Sequence, residues 1–491
     1  MQTKTALVLL WCVFLLSFGI RLYYNFSAGG YFEPQAYYSL RQVESVKRNF
    51  VTLYDDPLSF GGKFMPHLPG FYYLLAGADM LQPYGLIIFA SIVPALIAFV
   101  AYFFAGEITS NPGLRLLAAF LATYNPDFLQ LTTNTLSPLM LTLLLFFFTA
   151  GLFLRLERNK QLLPYLLISS LLLALTSLYS IVLVAGLWLY FGLIKLQGLK
   201  LQARSLEFTI FYSIFTFIVG YLSFVKASMS LGIAGLLVQA KRGLFTLNMV
   251  HISWVSFFSG LGILAVLFGI YGLYLAVQQD TKKRQANFLI ALGLILLGLI
   301  VAGFAGMPIA FFGFVLAMAS VYSVAAVLMY IQRLKSVRAL LTSALIILIV
   351  IPLFASAING LGRTELARAD MVEALSFIRE NSPQDSVVMA PLKYGHMISY
   401  FANRSNVADS NFLNSGDLEV RLNAIHSAYT TVYETEALSI FEKYGVKYIL
   451  VNPEILSEFQ IPSLRYVGDA KCFKKVYDSG TAIYEVLCRL K

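Results

Sequence analysis

The sequence predicts a polytopic α-helical membrane protein of about 11 transmembrane helices, at ~20 apolar residues per crossing, with a C-terminal α/β soluble domain. Three observations predict it. Hydrophobic residues make up 58% of the 491-residue chain and charged residues only 13%, about half the ~25% usual in soluble domains. Apolar stretches recur at 5–22, 84–106, 115–131, 135–154, 162–179, 181–197, 207–225, 253–277, 286–305, 308–331 and 339–358. From residue 359 onward the composition returns to that of a soluble protein.

The basic residues orient the bundle. Four short loops hold Arg155, Arg158 and Lys160; Lys195, Lys200 and Arg204; Lys282, Lys283 and Arg284; and Arg333, Lys335 and Arg338. Counting helices from the first, all four fall on one side with Lys4, which the positive-inside rule makes the cytoplasm. These twelve cations face two acids, Glu157 and Asp280, an excess equal to the net charge of +10 for the whole chain. The basic balance is therefore membrane anchoring and implies no nucleic-acid partner. The N-terminus is expected in the cytoplasm and the C-terminal domain outside, on a multi-pass protein of the cell membrane.

The first helix reads as retained rather than as a cleaved leader, because its apolar run is long and is flanked by Arg21, Tyr23 and Tyr24 at the expected interface. The expected division is a membrane domain over 1–358 and an external domain over 359–491. Two long outer loops, 23–68 and 226–252, are aromatic and polar rather than low in complexity, and so are expected to be ordered.

In the external domain, Leu366, Val372, Leu375 and Ile378 mark one face of a helix over 364–381. Val387 to Met389 reads as a buried strand, 433–444 as a helix stopped at Gly445, and Tyr448 to Val451 as a second strand. Asp478-Ser479-Gly480 is a turn signal, with Cys472 and Cys488 equidistant from Gly480. Opposed strand positions are close enough for a disulfide, and two buried thiols are the alternative.

The first outer loop reads Glu33-Pro34-Gln35-Ala36-Tyr37-Tyr38-Ser39-Leu40-Arg41, then Tyr54-Asp55-Asp56-Pro57, then Pro66-His67-Leu68-Pro69-Gly70. Charges of both signs among paired aromatics point to a site at the membrane surface; a solvated loop resting on headgroups is the bland alternative. Further along come Tyr124-Asn125-Pro126, Ser253-Trp254 with Phe257-Phe258, and Tyr394-Gly395-His396 followed by Ala402-Asn403-Arg404 and Ala408-Asp409-Ser410-Asn411. This last spacing has little evident packing reason. Together these motifs resemble the catalytic subunits of the oligosaccharyltransferase family, most of all its archaeal members. The resemblance implies the C-type glycosyltransferase fold and transfer of a glycan from a polyprenyl (dolichyl) phosphate or diphosphate carrier, as in protein glycosylation.

The departures are as informative. Family acids that hold a divalent metal fall on Gln35, on Pro138 to Met140 and near Asn248. No cofactor is certain: Mg²⁺ or Mn²⁺ is possible but disfavoured, because an amide offers an oxygen without the charge a hard cation needs. The motif that reads a sequon hydroxyl survives only as Tyr394-Gly395 behind Pro391-Leu392-Lys393, and the Arg expected at the carrier diphosphate falls near Gly306 to Pro308.

The candidate catalytic residues are therefore Glu33, Asp55, Asp56 and His251, with Glu33 as a metal-free general base. The alternative for Glu33 is an ion pair with Arg41 or Lys63. Contact with the donor phosphate or substrate is expected from Arg41, Tyr37, Tyr38, Lys241, Arg242 and Arg363. The acceptor side is expected at Tyr394, Gly395, His396, Asn403, Arg404 and Asp409. The expected partners are the lipid bilayer, a polyprenyl-linked sugar donor and an acceptor of unknown class. A catalytically silent relative serving as a binding or assembly module is the rival reading. A transporter is disfavoured by how few ionisable residues the apolar stretches carry.

Overall fold

The computed structural model describes residues 3–29, 32–81, 84–156, 158–247, 260–278, 283–302, 307–334, 336–361, 366–411 and 417–490, the side chains of 227–228 and 230–247 excepted. The chain divides into two compact units. The first holds Met1–Gly30, Leu68–Ser223 and Asn248–Thr364; the second holds Tyr31–His67, Phe224–Leu247 and Glu365–Lys491. This differs from a division at 358, since Tyr31–His67 clusters with the C-terminal domain.

Every predicted apolar stretch carries helix. Among the described residues, eight helices are long and apolar enough to cross a membrane, from Thr3–Ser27 to Arg338–Leu361, and Pro112–Thr123, Lys160–Thr176 and Ile263–Gln278 are shorter apolar ones. The protein is an integral multi-pass membrane protein. Local chemistry explains where the helices stop. The stretch predicted as one helix over 115–131 breaks after Thr123, because the Asn125 side chain accepts from Phe128 N at 3.0 Å and Pro126 opens a new short helix to Leu131. In contrast, helix continues from Ala203 to Leu247, through most of what the sequence presented as the outer loop 226–252.

Leu139–Leu156 and Met307–Ile331 form the core of the bundle and are the most buried of the long helices. Their aromatics interleave, with the Phe147 and Phe314 ring centroids 3.6 Å apart and Phe146 set edge-on to Phe311 at 4.9 Å. Gly269 and Gly272 let Ile263–Gln278 lie directly against this core. A methyl group at Gly272 would fall 2.6 Å from the Ala319 carbonyl carbon.

In the second unit, the first loop forms the helix Ala36–Asn49, ended by Phe50 in the left-handed conformation, and a small hairpin of β1 (Asp55–Asp56) and β2 (Lys63–Phe64). The C-terminal part builds a five-stranded sheet. Its strands are β3 (Val387–Met389), β4 (Ser405–Asn406), β5 (Val446–Val451), β6 (Phe473–Ser479) and β7 (Thr481–Val486), in the order β4-β3-β5-β7-β6. β3 runs parallel to β4 and β5, while β7 is antiparallel to β5 and β6. Helix Ala369–Asn381 is shorter than the 364–381 predicted, and Glu434–Tyr444 ends on Gly445 at φ 65° as expected.

Cys472 and Cys488 are joined in a disulfide with Cα atoms 4.7 Å apart. The symmetry about Gly480 that suggested the pairing holds only near the turn. An irregularity between Lys475 and Tyr477 shifts the register, so Phe473 faces Val486 and Cys472 O accepts from Leu487 N. Cys488 reaches its partner from one residue beyond direct opposition.

Candidate functional site

The helix Ala36–Asn49 positions the first-loop residues. Its buried face carries Tyr37, Tyr38, Leu40, Arg41, Gln42 and Val43. Tyr37 packs on Phe401 at 4.6 Å and Tyr400 at 5.3 Å, and Tyr38 lies 5.3 Å from His396. Glu33 sits half-buried just before the helix, its carbonyl accepting from Ala36 N at 3.0 Å. Asp55 is exposed.

Arg41 and Asp56 are not left for the roles expected of them. Arg41 Nη1 donates to Asp56 Oδ2 and Nη2 to Oδ1 at 2.7 Å, and Asp56 Oδ1 also accepts from Leu58 N at 2.9 Å. Both side chains are buried. This fork-to-fork pair satisfies the carboxylate and neutralises the guanidinium. Arg41 therefore pairs with Asp56 rather than Glu33, while Lys63 Nζ donates to Asn411 O at 3.2 Å.

The 394–411 motif has the packing reason the sequence did not reveal. Asp409, fully buried, accepts from Ser59 Oγ at 2.6 Å and Asn406 Nδ2 at 3.0 Å through Oδ2, and from Asn411 N at 3.0 Å through Oδ1. Asn406 also binds the loop, with Oδ1 accepting from Phe60 N at 3.1 Å and its own N–H donating to Leu58 O at 3.0 Å. Gly395 is required because a side chain there would lie 2.7 Å from Asp409 Cα. His396 Nε2 is 2.8 Å from Ser410 Oγ, and Nδ1 is 3.9 Å from Asp409 Oδ2. Arg404 spends its guanidinium on Ser382 O at 2.6 Å, Arg379 O at 3.0 Å and Ser382 Oγ at 2.9 Å, closing the C-terminal end of helix Ala369–Asn381. Tyr394 is buried, and Asn403 is exposed in the left-handed conformation at φ 50°.

Burial sets the electrostatics of this region. It lowers His67 to about 4, opposed by the Met65 carbonyl, and lowers Lys63 to about 8, opposed by Asp409 and Asp417. It also lowers His396, against the pull of Asp409, and raises the Tyr394 phenol, with Glu454 adding to the effect. These histidines are held neutral.

Asp127 belongs to the first unit, where it is packed against Gly260. His251 and Arg363 lie outside the described residues, as do the side chains of Lys241 and Arg242.

The sequence reading did not show that Arg21 and Asn25 are buried. Arg21 is fully buried rather than interfacial, donating to Ser17 and to Thr132 Oγ1 at 3.1 Å beneath the Phe128 ring. Asn25 Nδ2 donates to Ser91 Oγ at 2.9 Å, and its Oδ1 accepts from Asn134 N at 2.8 Å. A charge at the end of an apolar run was the available signal, and it reads equally as an anchor. Asn25 also sits in a glycosylation pattern, Asn25-Phe26-Ser27, but its buried amide is already engaged.

The described donors do not assemble a site for a divalent cation. Asp56 is consumed by Arg41, and Gln35 is exposed. Among the described residues, one cluster has ligand-type spacing, Glu434, Asp469 and Cys472. The Cys472 sulfur is in the disulfide, which leaves two carboxylates where a hard cation takes about six oxygens.

A bundle of apolar helices, a first loop built into a helix, and a C-terminal sheet domain define a membrane protein of the C-type glycosyltransferase fold. The chain matches the oligosaccharyltransferase of Archaeoglobus fulgidus with a TM-score of 0.68 at 15% identity, over 91% of this chain and 69% of that one. That archaeal enzyme, AglB, is also solved in complex with an inhibitory peptide and a dolichol-phosphate. ArnT from Cupriavidus metallidurans matches over 98% of both chains, with a TM-score of 0.58 at 11% identity, and with 0.54 when bound to undecaprenyl phosphate. In sequence, 82 residues are 33% identical to dolichyl-diphosphooligosaccharide-protein glycosyltransferase subunit STT3B of Oryza sativa subsp. japonica, 17% of this chain and 11% of that one. No family model matches the sequence. The resemblance to oligosaccharyltransferase catalytic subunits holds at the level of the fold, in a divergent chain.

Proposed function

We propose that this protein is a membrane glycosyltransferase that moves a sugar or oligosaccharide from a polyprenyl phosphate or diphosphate carrier to an acceptor on the outer face. The observation that carries the reading is that two proteins of this fold are solved with a polyprenyl phosphate bound, dolichol-phosphate in one and undecaprenyl phosphate in the other. The cation-rich short loops favour a cytoplasmic N-terminus, with the first loop and the C-terminal domain outside.

Glu33 is the general base of this proposal. Its carboxylate takes the proton of an acceptor hydroxyl as that oxygen bonds to the anomeric carbon, and the carbon's bond to the carrier phosphate oxygen breaks. The carrier phosphate departs with the bonding electrons. Lys241, Arg242 and Arg363 are the proposed phosphate contacts, because Arg41 is committed to Asp56. The acceptor is something other than a sequon asparagine, since Lys393 stands in the sequon-reading motif and pairs with Glu454. It can be a lipid, a glycan or a protein hydroxyl.

The test is transfer of labelled sugar from a polyprenyl-phosphate donor in proteoliposomes. Glu33→Gln should lower the rate by at least about a hundredfold, the usual weight of a general base. Full activity in this variant would remove Glu33 from the role. One observation favours a second reading, a silent relative: the first-loop acid Asp56 is spent on a structural pair. That reading requires no turnover by the unaltered protein with any carrier.

A further inference from the structure

The first unit contains a long apolar groove of 580 Å³ bounded by four helices, Thr3–Ser27, Pro112–Thr123, Met307–Ile331 and Arg338–Leu361. Along Pro112–Thr123 it runs from Asn111 to Tyr124, about 20 Å at 1.5 Å per residue. One leaflet of a bilayer is about 15 Å of hydrocarbon. Val13, Leu117 and Ile346 are typical of its walls, and Asn111 and Thr342 bring polar atoms to one end. The far end stops at Tyr124, whose hydroxyl donates to Val13 O at 3.1 Å.

The open end has a definite charge. The groove is lined by Leu9 to Leu16 in the middle of Thr3–Ser27, by the whole length of Pro112–Thr123, by the first half of Arg338–Leu361 from Thr342 to Val350, and by the late turns of Met307–Ile331, through Val324 and Leu328. Arg338 lies one turn before Thr342 on the same helix face, at the Asn111 and Thr342 end of the groove, and Lys4 and Arg333 belong to the corresponding ends of their helices, while no Asp or Glu lies in residues 3–9, 111–117, 324–334 or 336–342. Arg115 faces away from the groove: its Nε donates to Thr109 O at 2.8 Å and its guanidinium lies 5.9 Å from the Tyr102 ring centroid.

We propose that this groove is a binding site for an anionic bilayer phospholipid, with one acyl chain along the helices and the headgroup phosphate at the Asn111 and Arg338 end. The length of about 20 Å accommodates the acyl chain of one leaflet. A polyprenyl tail is several times longer than the groove, and a phospholipid is therefore the committed occupant. The site is separate from the first-loop chemistry, and its occupancy does not depend on glycosyl transfer.

The test is native mass spectrometry of the full chain released from nanodiscs of mixed phosphatidylglycerol and phosphatidylcholine, with and without added undecaprenyl phosphate. The unaltered protein should retain one phospholipid, phosphatidylglycerol over phosphatidylcholine by at least about fivefold. Leu117→Trp with Ile346→Trp should abolish the retention, and Arg338→Gln should reduce only the headgroup preference. Equal retention by the Trp variant, or replacement of the phospholipid by undecaprenyl phosphate, would overturn the proposal. A second measurement needs no groove mutation: a phosphatidylglycerol with a photoreactive acyl chain should crosslink to residues around Leu117 and Ile346. Crosslinks spread evenly over the helical bundle would equally overturn it.

Discussion

The Ser59 hydroxyl donates to the Asp409 carboxylate at 2.6 Å across a sequence separation of 350 residues. Ser59 is one of three donors on a fully buried acid, beside Asn406 Nδ2 and Asn411 N. Ser59→Ala should cost about 2 kcal/mol, as for a hydrogen bond to a charged group. Asp409→Ala should cost more, because it strands Ser59 and Asn406 as well. Thermal unfolding in detergent measures both, and an unchanged midpoint in Asp409→Ala would contradict the network.

Arg41 and Asp56 should behave as a pair. Removing either alone leaves the other buried and uncompensated, at about 3–5 kcal/mol. Arg41→Met combined with Asp56→Leu should cost clearly less than the two singles added. A double-mutant cycle on unfolding free energies reads this coupling. Additive singles would mean that each residue interacts elsewhere.

Acid should loosen the second unit through His67. Burial lowers its native pKa from 6.5 to about 4, so between those values the unfolded chain binds a proton that the native state refuses. The stability this provides is fully present above about pH 6.5 and is lost as pH falls toward 4, up to about 3 kcal/mol on the order of the shift. His67 Nδ1 lies 2.9 Å from the Met65 carbonyl, to which it must donate. His67→Asn keeps a donor there without titrating. The variant's unfolding midpoint should vary less with pH over this window, and an identical slope would exclude His67 as the source.

Reducing the disulfide should be felt in the C-terminal sheet. Cys472 and Cys488 close a loop with a sequence separation of 16, worth about 3 kcal/mol in the chain-entropy model. Cys472→Ser with Cys488→Ser should lower the unfolding midpoint, and added reductant should lower the unaltered protein to match. No response to reductant would show that the bond contributes little.

The helices were legible in the sequence because a membrane crossing is a local property: a run of apolar residues of the right length suffices. The break at Tyr124-Asn125-Pro126 was visible as a motif, and the Asn125 side-chain cap on Phe128 N is what makes it. The division into units was not legible. What joins 31–67 to 365–491 is a set of single contacts, among them Ser59 with Asp409, Phe60 with Asn406 and Tyr37 with Phe401, that leave no periodic mark. The 394–411 stretch stood out correctly as unusual, but its polar residues were read as facing an acceptor when several are buried joints. Arg41 and Asp56 were both found, though sequence spacing could not show that each would be the other's partner.

Because the first loop belongs to the second unit, the order of synthesis leaves it waiting. Ser59 is made 350 residues before Asp409, an interval of about 20–70 s at roughly 5–20 residues per second. Throughout it, Tyr37, Tyr38 and Phe60 have nothing of their own unit's C-terminal part to pack against. A ribosome that stalls late in this chain therefore leaves an inserted bundle with an unassembled aromatic loop, which gives quality control a defined surface to recognise.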